Sequence, residues 1–241
     1  AAVPSLLLLW RSYPGATLDP GQPYLFCFHP HGIYPMTSFW ATRHEVFRSA
    51  APGVEVDVLG ASVLAFSPGL RDVFLATGGR DVSRASILNC FASRRSCLLI
   101  PGGQREMKYA DYYDRNFTLY ARHMGFVRLA LQAGVPLVPV FSFGENQILH
   151  NLRLPRVQLL IYRLLGVFVP MYPHGRWFSL MPNATKVTVV FGAPVFLPKI
   201  DNPTADEVAA FHFEYYGRVH ELFEKHKAAA GFADSTLTLE L

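Results

Sequence analysis

The sequence predicts an α/β fold with a mostly parallel central sheet flanked by helices. Three observations predict it. Apolar, β-rich runs recur along the chain, stretches with helical spacing lie between them, and turns containing Gly or Pro close the runs. Residues 24–28 form a short apolar run between Pro23 and Pro30, and residues 54–59 intersperse Val with Glu and Asp as a strand would. Residues 97–100 before Pro101-Gly102-Gly103, 135–143 before Gly144 and 187–191 before Gly192 add three more runs, each apolar enough to be buried on both faces. Between these runs, 37–48, 82–93 and 122–133 carry helical spacing; in the last, Phe126, Leu129, Ala130 and Ala133 share a face and Gly134 stops it. The clearest helix comes at the end. Thr204 and Glu207 form a capping box after Pro203, and Val208, Phe211, Tyr215, Val219 and Leu222 then recur on one face. Glu214, Arg218, Glu221 and Lys225 read as its solvated side. In folds of this class, ligands sit beyond the carboxyl ends of the strands.

The chain's 241 residues suit one large domain, 24–241, behind a lead-in of 1–23. Apolar residues at 51% and charged residues at only 17% exclude a disordered tail or a coiled coil. A net charge of +4 is too small an excess to argue for nucleic acid. Of the 22 basic residues 17 are Arg, the side chain suited to bidentate phosphate contacts, although ordinary surface arginines would look the same. Cys27, Cys90 and Cys97 lack C-x-x-C spacing, which argues against a disulfide framework or a structural zinc site and for a reducing, cytosol-facing location. No uncharged apolar run reaches the ~18 residues of a membrane span. The nearest, 159–172, carries Arg163, and it reads either as buried core or as a lipid-facing surface. The chain opens at Ala1 and runs into Leu6-Leu7-Leu8-Leu9-Trp10, as if cut within something hydrophobic; no charged segment precedes it and no clean cleavage site follows, unlike a signal peptide.

His29-Pro30-His31-Gly32 follows the first of these runs and is the most specific chemical signal. Pro30 restricts the backbone and Gly32 lets a ligand approach the chain. A neutral imidazole there can take a proton from an alcohol, which makes acyl transfer available. Alternatively His29 and His31 are metal ligands of a hydrolase, completed from His44, His123, His150 or His174, none of which sits in a ligand motif. Pro101-Gly102-Gly103-Gln104-Arg105-Glu106 follows a later strand. Its paired glycines offer amides to an oxyanion or form a plain turn, with Glu106 at the same rim. Neither a Gly-x-Ser-x-Gly elbow nor a phosphate loop occurs.

Together these blocks resemble the diacylglycerol acyltransferase type 2 family, within the wider glycerolipid acyltransferase superfamily. The likeness runs from Tyr24-Leu25-Phe26-Cys27-Phe28-His29-Pro30-His31-Gly32-Ile33 through Leu70-Arg71-Asp72, Gly78-Gly79-Arg80-Asp81-Val82-Ser83-Arg84 and the Pro101 to Glu106 block. It continues in Gly125-Phe126-Val127-Arg128, Leu137-Val138-Pro139-Val140 to Glu145, and Val190-Phe191-Gly192-Ala193-Pro194, in family order over about 200 residues. The resemblance implies a glycerolipid acyltransferase-like fold. It implies transfer of a fatty acyl group from acyl-coenzyme A to the hydroxyl of diacylglycerol or monoacylglycerol, making triacylglycerol, with a wax alcohol as the alternative acceptor.

His31, beside His29, would be the base. The superfamily's orienting Asp has no counterpart, since its spacing lands on Met36 from His31 or Tyr34 from His29, and Glu106 becomes the candidate. Gly32, Pro101, Gly102, Gly103 and Arg105 would bind substrate or oxyanion, and Arg80, Arg84 and Arg122, with Arg105, would meet coenzyme A phosphates. No metal and no cofactor beyond the acyl-coenzyme A co-substrate is implied. The expected setting is a membrane or lipid-droplet surface, on the cytosolic face of the endoplasmic reticulum, with 1–23 the remnant of a membrane-anchoring region and self-association left open. A catalytically silent lipid-binding relative is a further reading.

Overall fold

The computed structural model describes residues 7–12, 18–60, 70–76, 78–152, 154–166 and 168–241. Its strands are, in chain order, β1 (Leu7–Ser12), β2 (Leu25–His29), β3 (Val56–Gly60), β4 (Arg80–Asp81), β5 (Ser96–Leu99), β6 (Phe117–Tyr120), β7 (Leu137–Phe143), β8 (His150–Asn151), β9 (Pro173–His174), β10 (Lys186–Phe191) and β11 (Leu237–Glu240). The α-helices are α1 (Ser38–Ala41), α2 (Glu45–Ala50), α3 (Leu70–Ala76), α4 (Arg84–Ala92), α5 (Gly125–Ala133), α6 (Pro155–Leu165) and α7 (Ala205–Ala230). A 3-10 helix, Gly103–Lys108, follows β5.

Seven strands form the main sheet in the order β1-β10-β7-β2-β5-β3-β4. The five from β7 to β4 are parallel, as the alternation of strand and helix predicts. β10 runs antiparallel to β7 and carries β1 in parallel beside it. Part of the lead-in is therefore an edge strand, while residues 1–6 and 13–17 lie outside the described residues. β6 and β11 pair in parallel as a small second sheet that the sequence pattern does not announce.

The period of two along β2 sorts its side chains. Leu25 and Cys27 join the core under α4, α5 and α7, and Phe26 and Phe28 join a second core with Phe39 of α1 and Phe47 of α2. In the first core Phe117, Phe141, Phe143 and Phe223 meet with ring centroids 5.2 Å apart for Phe117–Phe141 and 5.3 Å for Phe141–Phe223. Each such ring contributes about 1.5–3 kcal/mol by leaving water.

The helix expected over 37–48 is two short ones, because the chain turns at Thr42 and His44, whose side chain accepts from the Val46 amide and caps a fresh start. α5 stops where expected, at Gly134 with φ +65°. α7 opens with the Thr204–Glu207 capping box and presents the Arg218–Glu221 ion pair on its solvated side.

Candidate active site

Adjacent parallel strands β5, β2 and β7 end at one edge of the sheet, and the loops that leave them meet there. His29-Pro30-His31-Gly32 leaves β2, the Pro101-Gly102-Gly103 turn leaves β5, and Gly144-Glu145 leaves β7. Gly32 has φ +62°, and a Cβ there would sit 3.1 Å from Glu145 Cγ, so the turn requires a residue without a side chain.

His31 lies partly exposed in a cavity of about 220 Å³, lined also by Tyr34, Ser38, Phe39, Ile100, Gln104 and Phe168. Burial of the ring pulls its pKa down to about 4, so it is neutral at neutral pH. Its Nδ1 lies 3.1 Å from the Gly32 carbonyl, which places the proton on Nδ1 and leaves Nε2 as the acceptor.

Glu106 reaches His31 as expected, but at the backbone and not at the ring. Its Oε2 accepts from the His31 N–H at 2.8 Å and its Oε1 from the Tyr120 N–H at 3.0 Å. The ring itself meets the Gly32 carbonyl, so Glu106 positions the residue's backbone rather than the imidazole. The carboxyl is buried, and desolvation raises its pKa to about 8, against the pull of those two amides. Gly102 makes room for it, since a methyl at that position would overlap the Glu106 carboxyl.

Glu145, in the turn that leaves β7, is a second buried carboxyl at this edge of the sheet. It accepts from the Thr37 amide at 3.2 Å, from the Thr37 hydroxyl, and from the Ser142 hydroxyl at 2.8 Å, and burial raises its pKa to about 7.

His29 is elsewhere. It is fully buried on the α7 side, its Nε2 2.9 Å from the Tyr215 hydroxyl, and desolvation lowers its pKa to about 3. It lines neither the His31 cavity nor the larger one beside it, so the structure sets His29 apart from His31, with which the sequence had paired it. The strand ends at His29, and the turn that follows sends the two rings to opposite sides of the sheet. The shared metal site goes with it. Among the described residues no three His, Cys, Asp or Glu side chains are grouped to hold an ion. His44 caps α2, His123 meets the Pro101 carbonyl at 3.0 Å, and His150 stacks on His174.

The glycine pair does not furnish two oxyanion donors. Gly103 lines the cavity but its N–H is committed to the Ile100 carbonyl at 3.0 Å, and Pro101 and Gly102 do not line it. Tyr34 and Gln104, which sequence reasoning missed as donors, are the polar side chains that line the cavity with His31 and Ser38; the Ser38 hydroxyl donates to the Pro35 carbonyl. Burial raises the Tyr34 pKa and keeps its phenol protonated.

The four arginines separate. Arg80 is paired with Asp57 at 2.7 Å, which Arg95 also holds, and it lines neither cavity. Arg84 is exposed on α4 and lines neither cavity. Arg105 and Arg122 share a second cavity of about 390 Å³ with Lys108.

Among the described side chains of 159–172, Leu160, Leu164, Val169 and Tyr172 are exposed, against the expectation of buried core. Within α6 Gln158 is buried while Leu160 and Leu164 are exposed. Among the described residues no helix is long and apolar enough to cross a membrane.

Comparison with known proteins supplies the remaining findings. The family model described as diacylglycerol acyltransferase matches residues 12–241. Diacylglycerol O-acyltransferase 2 of Dictyostelium discoideum is 35% identical over 245 residues, covering 91% of this chain and 73% of that protein. Mouse 2-acylglycerol O-acyltransferase 1 is 31% identical and human acyl-CoA wax alcohol acyltransferase 2 is 32% identical, each over 90% of this chain and 69% of the relative. The crystal structure of the 1-acyl-sn-glycerophosphate acyltransferase PlsC from Thermotoga maritima superposes with a TM-score of 0.50 at 13% identity, over 90% of this chain and 73% of that one, a likeness of fold.

Proposed function

The chain belongs to the diacylglycerol acyltransferase family, and we propose from that premise that it transfers a fatty acyl group from acyl-coenzyme A to the free hydroxyl of a diacylglycerol or monoacylglycerol. The observation that carries the chemistry is the neutral His31 ring lining a cavity at the carboxyl edge of the sheet.

The acceptor hydroxyl oxygen attacks the thioester carbonyl while His31 Nε2 takes its proton. A C–O bond forms, charge gathers on the carbonyl oxygen, and the Tyr34 hydroxyl or the Gln104 amide donates to it. The C–S bond then breaks, and the coenzyme A sulfur leaves with the proton from His31. Ester and free thiol are the products, and no acyl-enzyme is formed. Incubation with labelled oleoyl-coenzyme A and a panel of diacylglycerol, monoacylglycerol, long-chain alcohol and sterol, resolved by lipid class, tests this. Labelled acylglycerol ester is expected, a predominant wax ester reassigns the acceptor, and absence of any ester overturns the reading.

Such acceptors reside in lipid, and the reading places the enzyme on a membrane or droplet surface, at the endoplasmic reticulum. What supports this is a set of exposed apolar side chains: Leu160 and Leu164, one turn apart on α6, and Trp177, Phe178 and Leu180 further along the chain. Leu160→Asp with Leu164→Asp should lower the fraction of chain that floats with phosphatidylcholine vesicles several-fold while leaving the melting midpoint unchanged. Equal flotation of parent and variant would remove these side chains from the membrane contact.

A further inference from the structure

We infer that the cavity holding Arg105, Lys108 and Arg122 receives the phosphates of the acyl-coenzyme A donor, and that Glu240 occupies two of these cations until the phosphates displace it. The inference rests on the transferase reading above and assigns one substrate's polar end to a second cavity.

Continuity is the first support. The cavity of about 390 Å³ shares Met107 and Phe168 with the cavity of His31, so the two are neighbours on either side of these side chains and one elongated ligand would span them. The 3-10 helix Gly103–Lys108 begins at the His31 cavity and ends at the second one. At ~2.0 Å per residue that is about 10 Å, within the reach of an extended pantetheine arm.

Charge is the second. Three cations face one carboxylate, Glu240, among the lining residues. Arg105 is held by aromatic rings and not by an acid: its guanidinium carbon lies 5.1 Å from the Tyr120 ring centre and 5.7 Å from that of Tyr162, and it donates to the Tyr120 hydroxyl. That fixes a fork of donors at the cavity wall and leaves its charge unneutralised.

The third support is the place of Glu240. β11 runs parallel to β6 with Glu240 opposite Tyr120, which brings the carboxylate 3.0 Å from Lys108 Nζ and 3.7 Å from an Arg122 nitrogen. The pairs are partly exposed and the Arg122 one is long, so each is weak. A phosphate carries more charge and more acceptor oxygens than a carboxylate and takes the same donors on better terms. Glu240 thus acts as an internal competitor for the donor substrate.

The test compares kcat/KM for oleoyl-coenzyme A with kcat/KM for an oleoyl thioester of pantetheine, which has the same reacting group and no phosphate. Arg122→Ala and Lys108→Ala should each lower the ratio of the two about ten- to hundredfold, the size of a lost charge-assisted hydrogen bond. Glu240→Gln should raise the ratio, because the competitor's charge is gone while its shape remains. Equal losses on both thioesters, or a fall in the ratio with Glu240→Gln, overturns the assignment. If the parent chain transfers from neither thioester, the transferase reading fails separately. The cavity is then judged by calorimetric titration with adenosine 3′,5′-bisphosphate, where binding weakened by Arg122→Ala upholds it and no binding to the parent chain ends it.

Discussion

His31→Ala is expected to slow acyl transfer ~10²–10⁴-fold, the contribution of a positioned general base. The protein should stay folded, because the residue is half-buried at a cavity wall and its ring bonds to the carbonyl of the next residue, not to another element of the fold. The pH dependence follows from the same ring. Burial lowers its pKa to about 4, so the acceptor form is present throughout the neutral range. On this account kcat/KM holds steady across neutral pH and falls only as pH drops through about 4, where protonation fills Nε2. Initial rates with labelled donor, measured on both proteins after their melting curves are matched, check the claim. A folded His31→Ala chain that turns over like the parent ends the assignment of His31 as base.

Glu106→Ala should cost about 2–5 kcal/mol of stability, since two buried amides lose their acceptor and a space opens beside Gly102. Turnover should fall about 10²-fold in the fraction that remains folded, because the backbone that carries His31 loses its anchor. The isosteric Glu106→Gln is not conservative here. Each carboxyl oxygen accepts from a backbone N–H, and an amide side chain would turn its own NH₂ against one of them.

Linkage gives a second readout for Glu106. The folded chain keeps its proton up to about pH 8, whereas the unfolded carboxyl releases it near 4.5. Its contribution to stability is therefore complete below 4.5 and declines as pH rises through about 8. His29 and His31 act in the opposite sense, with stability lost as pH falls from 6.5 toward about 3 and 4, so above 6.5 the carboxyls set the trend. Melting midpoints should fall from pH 6.5 to 8 in the parent and fall less in Glu106→Gln. Identical slopes would show that Glu106 does not hold a proton in the folded state.

The sheet was legible because β2, β5 and β7 are mostly apolar and run into Pro- or Gly-containing turns, and α7 because its cap and its stripe agree. The direction of β10 was not legible, since a strand buried on both faces carries no mark of which way it runs. His31 was readable from its motif and Glu106 from its turn. Which atoms would meet was not, because the contact joins a side chain to a backbone N–H 75 residues away. His29 looked equivalent to His31 two residues on, until the strand ended between them. Lys108, Glu240 and Tyr34 carried no motif, and only the pairing of β6 with β11 brings Glu240 across 132 residues to Lys108.

Glu106 grips the turn from 75 residues downstream of His31, and Glu145 grips Thr37 across 108. Neither tether exists until three neighbouring strands have docked side by side, and such long-separated parallel pairing is slow to assemble. A chain in which these strands have not yet paired lacks the anchors that hold the His31 backbone and Thr37.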